Sequence, residues 1–256
     1  MIPFTVQYGI GIEHQIRKGT SVAVTYTGTR GFDQFLSRDV NAPLGPAYLA
    51  RPDPTLGVVR EIESTGRLVG NSVQISLKGQ VTRWFAGSVQ YTLSKTMNDT
   101  GGINWMPPNS YDLSLEYARA DSDQRQRFDL LGTFNPGSLF NLGVALAVYS
   151  GRPYSETAGH DDFNTGTANA RPAGLARNSL EGPGYADLDL RWSRDIRLSA
   201  AKKNAGRAMT VGIDAFNVLN KVNLSRYVGT LTSPFFGQAI AAQPARRLQL
   251  SLRFRL

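Results

Sequence analysis

Arg247-Leu248-Gln249-Leu250-Ser251-Leu252-Arg253-Phe254-Arg255-Leu256 closes the chain with strict alternation of polar and apolar side chains. A period of two is the signature of a β-strand with one greasy and one wet face. The same rhythm runs back along the sequence. Phe4, Val6, Tyr8, Ile10 and Ile12 alternate with Thr5, Gln7, Gly9, Gly11 and Glu13. Val73, Ile75 and Leu77 alternate with Gln74, Ser76 and Lys78, and Leu188, Leu190 and Trp192 with Asp187, Asp189 and Arg191. The pattern predicts nine strands at about 4–16, 20–35, 71–81, 85–97, 126–135, 141–150, 185–198, 208–220 and 246–256. Most are longer than the ~5–6 residues usual in soluble sheets and match the ~9–11 of a tilted strand that crosses a bilayer.

The connections by these boundaries are about 3, 35, 3, 28, 5, 34, 9 and 25 residues, short and long in alternation. Structureless loops beyond ~12–15 residues count against a compact soluble domain. Long loops at one end and tight turns at the other are the plan of outer-membrane barrels. A soluble β-sandwich also alternates apolar and polar residues, but it explains neither the strand length nor the one-sided loops.

Composition agrees. The 256 residues are 41% hydrophobic and 19% charged, too apolar for a disordered chain. No run nears the ~18 apolar residues of a helical span. The start shows no basic and apolar leader pattern. Without cysteine there is no disulfide framework, thiolate metal site or cysteine nucleophile. The net charge is +8, and the short turns supply +7 of it through Arg17, Lys18, Arg83, Arg194, Arg197, Lys202, Lys203 and Arg207 against Asp195. Bases spread over separate turns suit anionic headgroups or solubility rather than a nucleic-acid groove, so no nucleic-acid partner is expected. Trp84, Phe85, Phe134 and Phe140 near the short turns, and Phe32, Phe35, Tyr149, Tyr154 and Tyr185 near the long loops, are expected to form two interfacial belts.

Strand direction carries a further expectation. Counting back from the last strand, the first runs from the long-loop side toward the short-turn side, which gives an odd strand count. Bacterial single-chain barrels have an even number. Two free sheet edges in lipid would also leave backbone groups unpaired, at several kcal/mol each by order of magnitude. Residues 1–256 therefore read as the C-terminal part of one transmembrane β-barrel domain, with the N-terminal strands outside this sequence.

Several stretches then resemble the C-terminal barrel of TonB-dependent outer-membrane receptors. They are similar specifically to the Oar-like group, which often carries a carboxypeptidase-regulatory-like domain. The stretches are Gln124-Arg125-Gln126-Arg127-Phe128-Asp129, Ser150-Gly151-Arg152-Pro153-Tyr154, and Asn169-Ala170-Arg171-Pro172 with Arg177-Asn178-Ser179. Asp214-Ala215-Phe216-Asn217-Val218-Leu219-Asn220, Ser233-Pro234-Phe235-Phe236-Gly237-Gln238 and Pro244-Ala245-Arg246-Arg247-Leu248-Gln249-Leu250 follow. The resemblance is fullest over about residues 120–256. It implies the last nine strands of a barrel of about 22, an outer-membrane location, and energised uptake of a bulky nutrient. The implied partners are outer-membrane lipid, the remaining barrel and plug of the same protein, and the TonB complex acting through that plug. No cofactor is implied. The final Leu256 departs from the Phe that usually ends such proteins. The alternative is a structural or adhesive outer-membrane barrel without transport.

Candidate sites are few. His160-Asp161-Asp162, with Asn164, invites a catalytic or metal reading, yet the second histidine, His14, lies in the first strand and no G-x-S-x-G motif occurs. No catalytic and no metal site is assigned, and a solvated loop tip is the simpler reading. Tyr154, His160, Asp161 and Asp162 are kept as candidate substrate-binding loop residues. Asp129, Asp187, Asp189, Arg191 and Asp214 alternate with apolar neighbours and should face the lumen, as a substrate path, plug contacts or a mutual polar network. Gly87, Gly132, Gly143 and Gly212 read as packing or bending positions.

Overall fold

A computed structural model of the chain describes residues 1–137, 140–197 and 208–255. The chain runs through β1 (Phe4–Arg17), β2 (Thr20–Asp39), β3 (Arg60–Gln80), β4 (Phe85–Asn98), the two-residue β5 (Ala118–Arg119), β6 (Gln126–Gly137) and β7 (Phe140–Tyr149). It continues through β8 (Pro153–Tyr154), β9 (Leu180–Glu181), β10 (Tyr185–Arg197), β11 (Ala208–Phe216), β12 (Leu224–Tyr227), β13 (Ala239–Ala242) and β14 (Arg247–Arg255). The nine long strands form one sheet in the order β1-β2-β3-β4-β6-β7-β10-β11-β14, an antiparallel meander, with β5 pairing on β4. The fold is all-β, and all nine expected strands are present.

Side-chain rows settle which face is which. Residues paired directly across antiparallel strands point to the same side. One row runs Ile12, Val24, Ile75, Tyr91, Phe128, Val148 and Ala186 from β1 to β10. The adjacent row on the other face runs Glu13, Ala23, Ser76, Gln90, Asp129, Ala147 and Asp187. On β10, β11 and β14 the apolar face continues as Trp192, Ile213 and Leu250, and the polar face as Arg191, Asp214 and Gln249. One sheet is therefore apolar on one side from edge to edge.

No second sheet covers that side among the described residues. Among the described residues the buried apolar set is Leu36 and five alanines, while Ile12 stands 75% exposed and Leu250 78%. Contiguous apolar surface on this scale marks contact with another apolar phase. Rings lie flat on glycines along the same face. A Cβ on Gly132 would sit 2.5 Å from Cζ of Phe85 and 2.7 Å from the carbonyl of Ala86, and the Tyr8 ring covers Gly28 in the same way. These glycines let an aromatic ring fill the surface between strands, as expected of packing rather than ligand-approach positions.

Two sequence expectations change. β2 runs on to Asp39 and β3 begins at Arg60, so the first long connection spans only 40–59. Above the apolar band polar and apolar residues mix, with Leu36 opposite Glu63 and Ile62 opposite Ser37, and the period of two disappears although backbone pairing goes on. The ion pair of Arg38 with Glu63, 2.5 Å, belongs to this extension. The upper aromatic belt also shrinks: Phe4 and Phe32 stack with centroids 5.1 Å apart on the apolar face, but Tyr149 and Tyr185 pair with each other on the polar face, beside Arg127. Trp84 and Phe85 hold the lower edge, where Arg83 lies 4.2 Å over the Trp84 ring. Lys202, Lys203, Arg207 and Leu256, which carried part of the charge and end-signal readings, lie outside the described residues.

Candidate ligand vestibule at the loop end of the sheet

The polar face carries a linked row of tyrosines and carboxylates at its loop end. Tyr149 donates its hydroxyl to Oδ1 of Asp129 at 2.5 Å, and Tyr185 donates to Oδ2 of Asp187 at 3.0 Å. The two rings stack with centroids 5.4 Å apart, and the Arg127 guanidinium lies 4.5 Å over Tyr149. Asp189 accepts the backbone N–H of Asn217 at 2.9 Å, and Arg191 approaches Asp214 at 3.4 Å. The five charged candidates of the polar face thus share one surface, and all five have a partner there. Asp187 keeps one oxygen, Oδ1, buried and without a partner.

Above that face the long loops are stitched to one another. The first loop meets the second where Tyr111 donates to the carbonyls of Val40 and Ala42, both at 3.1 Å. It meets the third where Arg51 donates to the Thr165 carbonyl at 3.2 Å and Tyr48 packs edge-on against Phe163 at 5.0 Å. Second and third join through buried polar groups. Arg171 forms an ion pair with Glu116, which is 1% exposed, and Arg177 reaches the Asn98 carbonyl at 3.1 Å and Asp121 at 3.3 Å. Burial lowers the Arg177 pKa from its usual value, against the opposing pull of Asp121 and Glu116. Third and fourth join through Thr157, whose N–H donates to the Gly229 carbonyl at 2.8 Å while its own carbonyl accepts from Leu231 at 2.9 Å. These buried polar groups are matched except for Arg177 Nε, which is buried without a partner, and such a network fixes one arrangement of the loops.

Between this layer and the tyrosine row lies a cavity of about 760 Å³. Arg127, Arg152, Tyr154, Arg226, Tyr227 and Gln243 are among the residues that line it. Tyr154, on β8, stacks on Tyr227, on β12, at 5.2 Å. Burial, with Tyr154 alongside, raises the Tyr227 pKa above its ordinary value. Of the four loop candidates from the sequence, Tyr154 lines this cavity, whereas His160, Asp161 and Asp162 do not. His160 Nδ1 lies 2.5 Å from Asp162 at an exposed tip. Asp161 accepts from the N–H groups of Thr165, 3.0 Å, and Gly166, 2.6 Å, and so shapes its own loop. Sequence reasoning missed Arg226 and Tyr227. The available signal was the short run Leu224–Tyr227 facing Ala239–Ala242 across a Ser233-Pro234 and Gly237 turn, which marks a small hairpin.

Asp161 supplies a pH prediction. Burial raises its pKa, but the donors from Thr165 and Gly166 outweigh that and hold it below the ordinary carboxylate value. A lowered folded-state pKa stabilises the loop above the unfolded value, and the contribution is lost as pH falls through the folded one. Hydrogen exchange at Thr165 and Gly166 should therefore lose protection in acid, and Asp161→Asn should remove that pH dependence. An unchanged acid transition in Asp161→Asn would place its cause elsewhere.

Comparison with known proteins decides the family. Residues 2–176 match the family described as outer membrane beta barrel domain. The chain belongs to that family. The barrel domain resides in the outer membrane, and its exposed apolar face meets lipid there. No curated protein matches it in sequence. Among solved structures it is similar to the outer membrane transporter YddB from Escherichia coli, at 14% identity and a TM-score of 0.65, over 98% of this chain and 32% of that one. It is also similar to the ferric-catecholate import receptor Fiu from E. coli K12, at 11% identity and 0.58, over 98% of this chain and 27% of that one. FpvA of P. aeruginosa, solved with heterologous pyoverdines, matches at 11% and 0.58, over 97% and 26%. These likenesses are of fold. The chain spans about a third or less of the length of the proteins it matches. The family match includes Gln124–Asp129 and Ser150–Tyr154 and stops before the stretches from Asp214 onward.

Proposed function

We propose that this barrel domain is the C-terminal part of a TonB-dependent receptor of the Oar-like group, forming pore wall and substrate-binding loops for a bulky nutrient. The observation that carries the reading is the ordered vestibule. Four loops are stitched together, and the second, third and fourth contribute to the lining of a cavity on the polar face, at the end of the strands where an external ligand first arrives. The polar row of Asp129, Asp187, Asp189, Arg191 and Asp214 then lines the lumen, and a plug from the same protein, acted on by the TonB complex, fills it. The open sheet supports this. In the strand order β1 and β14 each have a single neighbour, and a free edge in hydrocarbon leaves its N–H and C=O groups unpaired. We assign no catalytic role. Among the described residues His160 hydrogen-bonds no hydroxyl, so the nucleophile and base of a hydrolase are not brought together.

Extraction of the protein from its native outer membrane tests the reading. Its intact mass should correspond to roughly three times this length, as expected if this chain is the 32% share seen in the YddB comparison. Uptake of its nutrient should stop when the proton-motive force is collapsed. A native protein of 256 residues that closes a barrel alone would overturn the proposal. Binding that persists with no energy-dependent uptake would identify an adhesive barrel instead.

A further inference from the structure

Arginines in the loop layer are mostly spoken for. Arg51 pairs with Asp39, Arg119 with Asp123 and Glu181, Arg171 with Glu116 and Arg177 with Asp121. Three are not. Among the described residues Arg127, Arg152 and Arg226 make no ion pair, and all three line the 760 Å³ cavity. The one carboxylate in its lining, Asp121, is already engaged by Arg177 at 3.3 Å and by the Asn178 side chain at 2.6 Å.

The placement of Arg226 is built by the backbone. β12 and β13 pair Leu224 with Ala242, Ser225 with Ala241 and Tyr227 with Ala239, so Arg226 is skipped. Its φ is +48°, in the left-handed region that residues with a side chain rarely adopt. The partners on either side keep one register, so no residue is inserted, and the left-handed backbone at Arg226 is what re-aims its side chain. Beside it the Tyr227 hydroxyl is buried with no hydrogen-bond partner, an unmet donor and acceptor next to the cavity. The stacked pairs Tyr154–Tyr227 and Tyr149–Tyr185 supply aromatic surface on the same walls. Unpaired guanidiniums, an orphan hydroxyl and ring faces in one ligand-sized space ask for a ligand that is both anionic and cyclic.

We propose that the cavity binds a carboxylate-bearing ring compound, its acid groups held by Arg127, Arg152 and Arg226 and its ring laid against the tyrosines. The inference rests on the receptor reading and names the ligand class for that site. Acidic oligosaccharides and aryl carboxylates share this chemistry. Arginine is suited to the task because its planar fork grips a carboxylate with two parallel N–H donors.

The test is calorimetric binding to the intact protein purified from its native outer membrane into detergent micelles, with far-UV circular dichroism to confirm an unchanged β content. The probes are trigalacturonate, its neutral methyl ester and 2,3-dihydroxybenzoate. At least one acid should bind, more weakly as salt rises, and the ester should not. Preference for trigalacturonate assigns the sugar source, and preference for dihydroxybenzoate the aryl source. The double variant Arg152→Gln/Arg226→Gln should weaken binding about a hundredfold, roughly tenfold for each guanidinium lost. Arg152→Lys/Arg226→Lys should recover part of it, and Arg83→Gln, on a short turn, should change nothing. Equal binding of the neutral ester would overturn the anionic class and leave the receptor reading standing. A folded chain that binds no probe, or a glutamine variant as tight as the native one, overturns the inference. The native-membrane experiment decides the receptor reading separately.

Discussion

Ile75→Arg should cripple insertion of the chain into phospholipid vesicles, while Ser76→Arg, one residue on, should leave it almost untouched. Ile75 sits between Val24 and Tyr91 on the apolar face, 49% exposed, well inside β3. A charge placed at that depth on a lipid-facing position costs about 2–4 kcal/mol. Ser76 lies between Ala23 and Gln90 on the opposite face, where an arginine meets water and carboxylates. Urea titration of vesicle-inserted protein reads both. Equal losses from the two substitutions would mean the faces are not distinguished by lipid, and a monodisperse chain in detergent-free buffer would say the same.

The second large effect is expected in the loop layer, at Arg171. Arg171→Met leaves the Glu116 carboxylate without its partner in a setting where it is 1% exposed. Removing one member of a buried pair costs about 3–5 kcal/mol, because the remaining charge is uncompensated. Replacing both, as Glu116→Leu/Arg171→Met, should recover most of that loss. Limited trypsin digestion should show rapid cleavage within 111–123 in the single variant and near-native resistance in the double. Arg171 also holds the Leu175 carbonyl at 3.1 Å, and that bond is missing in both variants, so the difference between them isolates the stranded charge.

How much of this was legible in the sequence depends on what each segment touches. Hydrocarbon on one side forces Val73, Ile75 and Leu77 to alternate with Gln74, Ser76 and Lys78, so β3 is plain wherever it faces lipid. From Arg60 to about Gly66 the same strand has water on both sides, nothing enforces alternation, and only the backbone ladder reveals it. Tyr149 shows a different failure. Its place at a strand end suggests an interfacial ring, but it shares parity with Ala145 and Ala147, and parity put it on the polar face with Asp129. For the vestibule, Ser150–Tyr154 stood out by its Gly and Pro, whereas Arg226 depends on a skipped residue in a four-residue strand. No periodicity announces a single residue in the left-handed region, and the partner strand β13 is only a short apolar run.

The stitched loops bear on how a ligand would get in. Tyr111 tied to Val40, Arg51 to Thr165, Arg171 to Glu116 and Thr157 to Gly229 leave none of the four hairpin crests free to swing by itself. A flap that hinges needs one crest with few cross-links, and this crown has none among the described residues. On the proposed receptor reading, entry from outside is then an open door, with association governed by diffusion and charge. On that same reading, whatever motion lets a captured molecule onward must come from the floor beneath it.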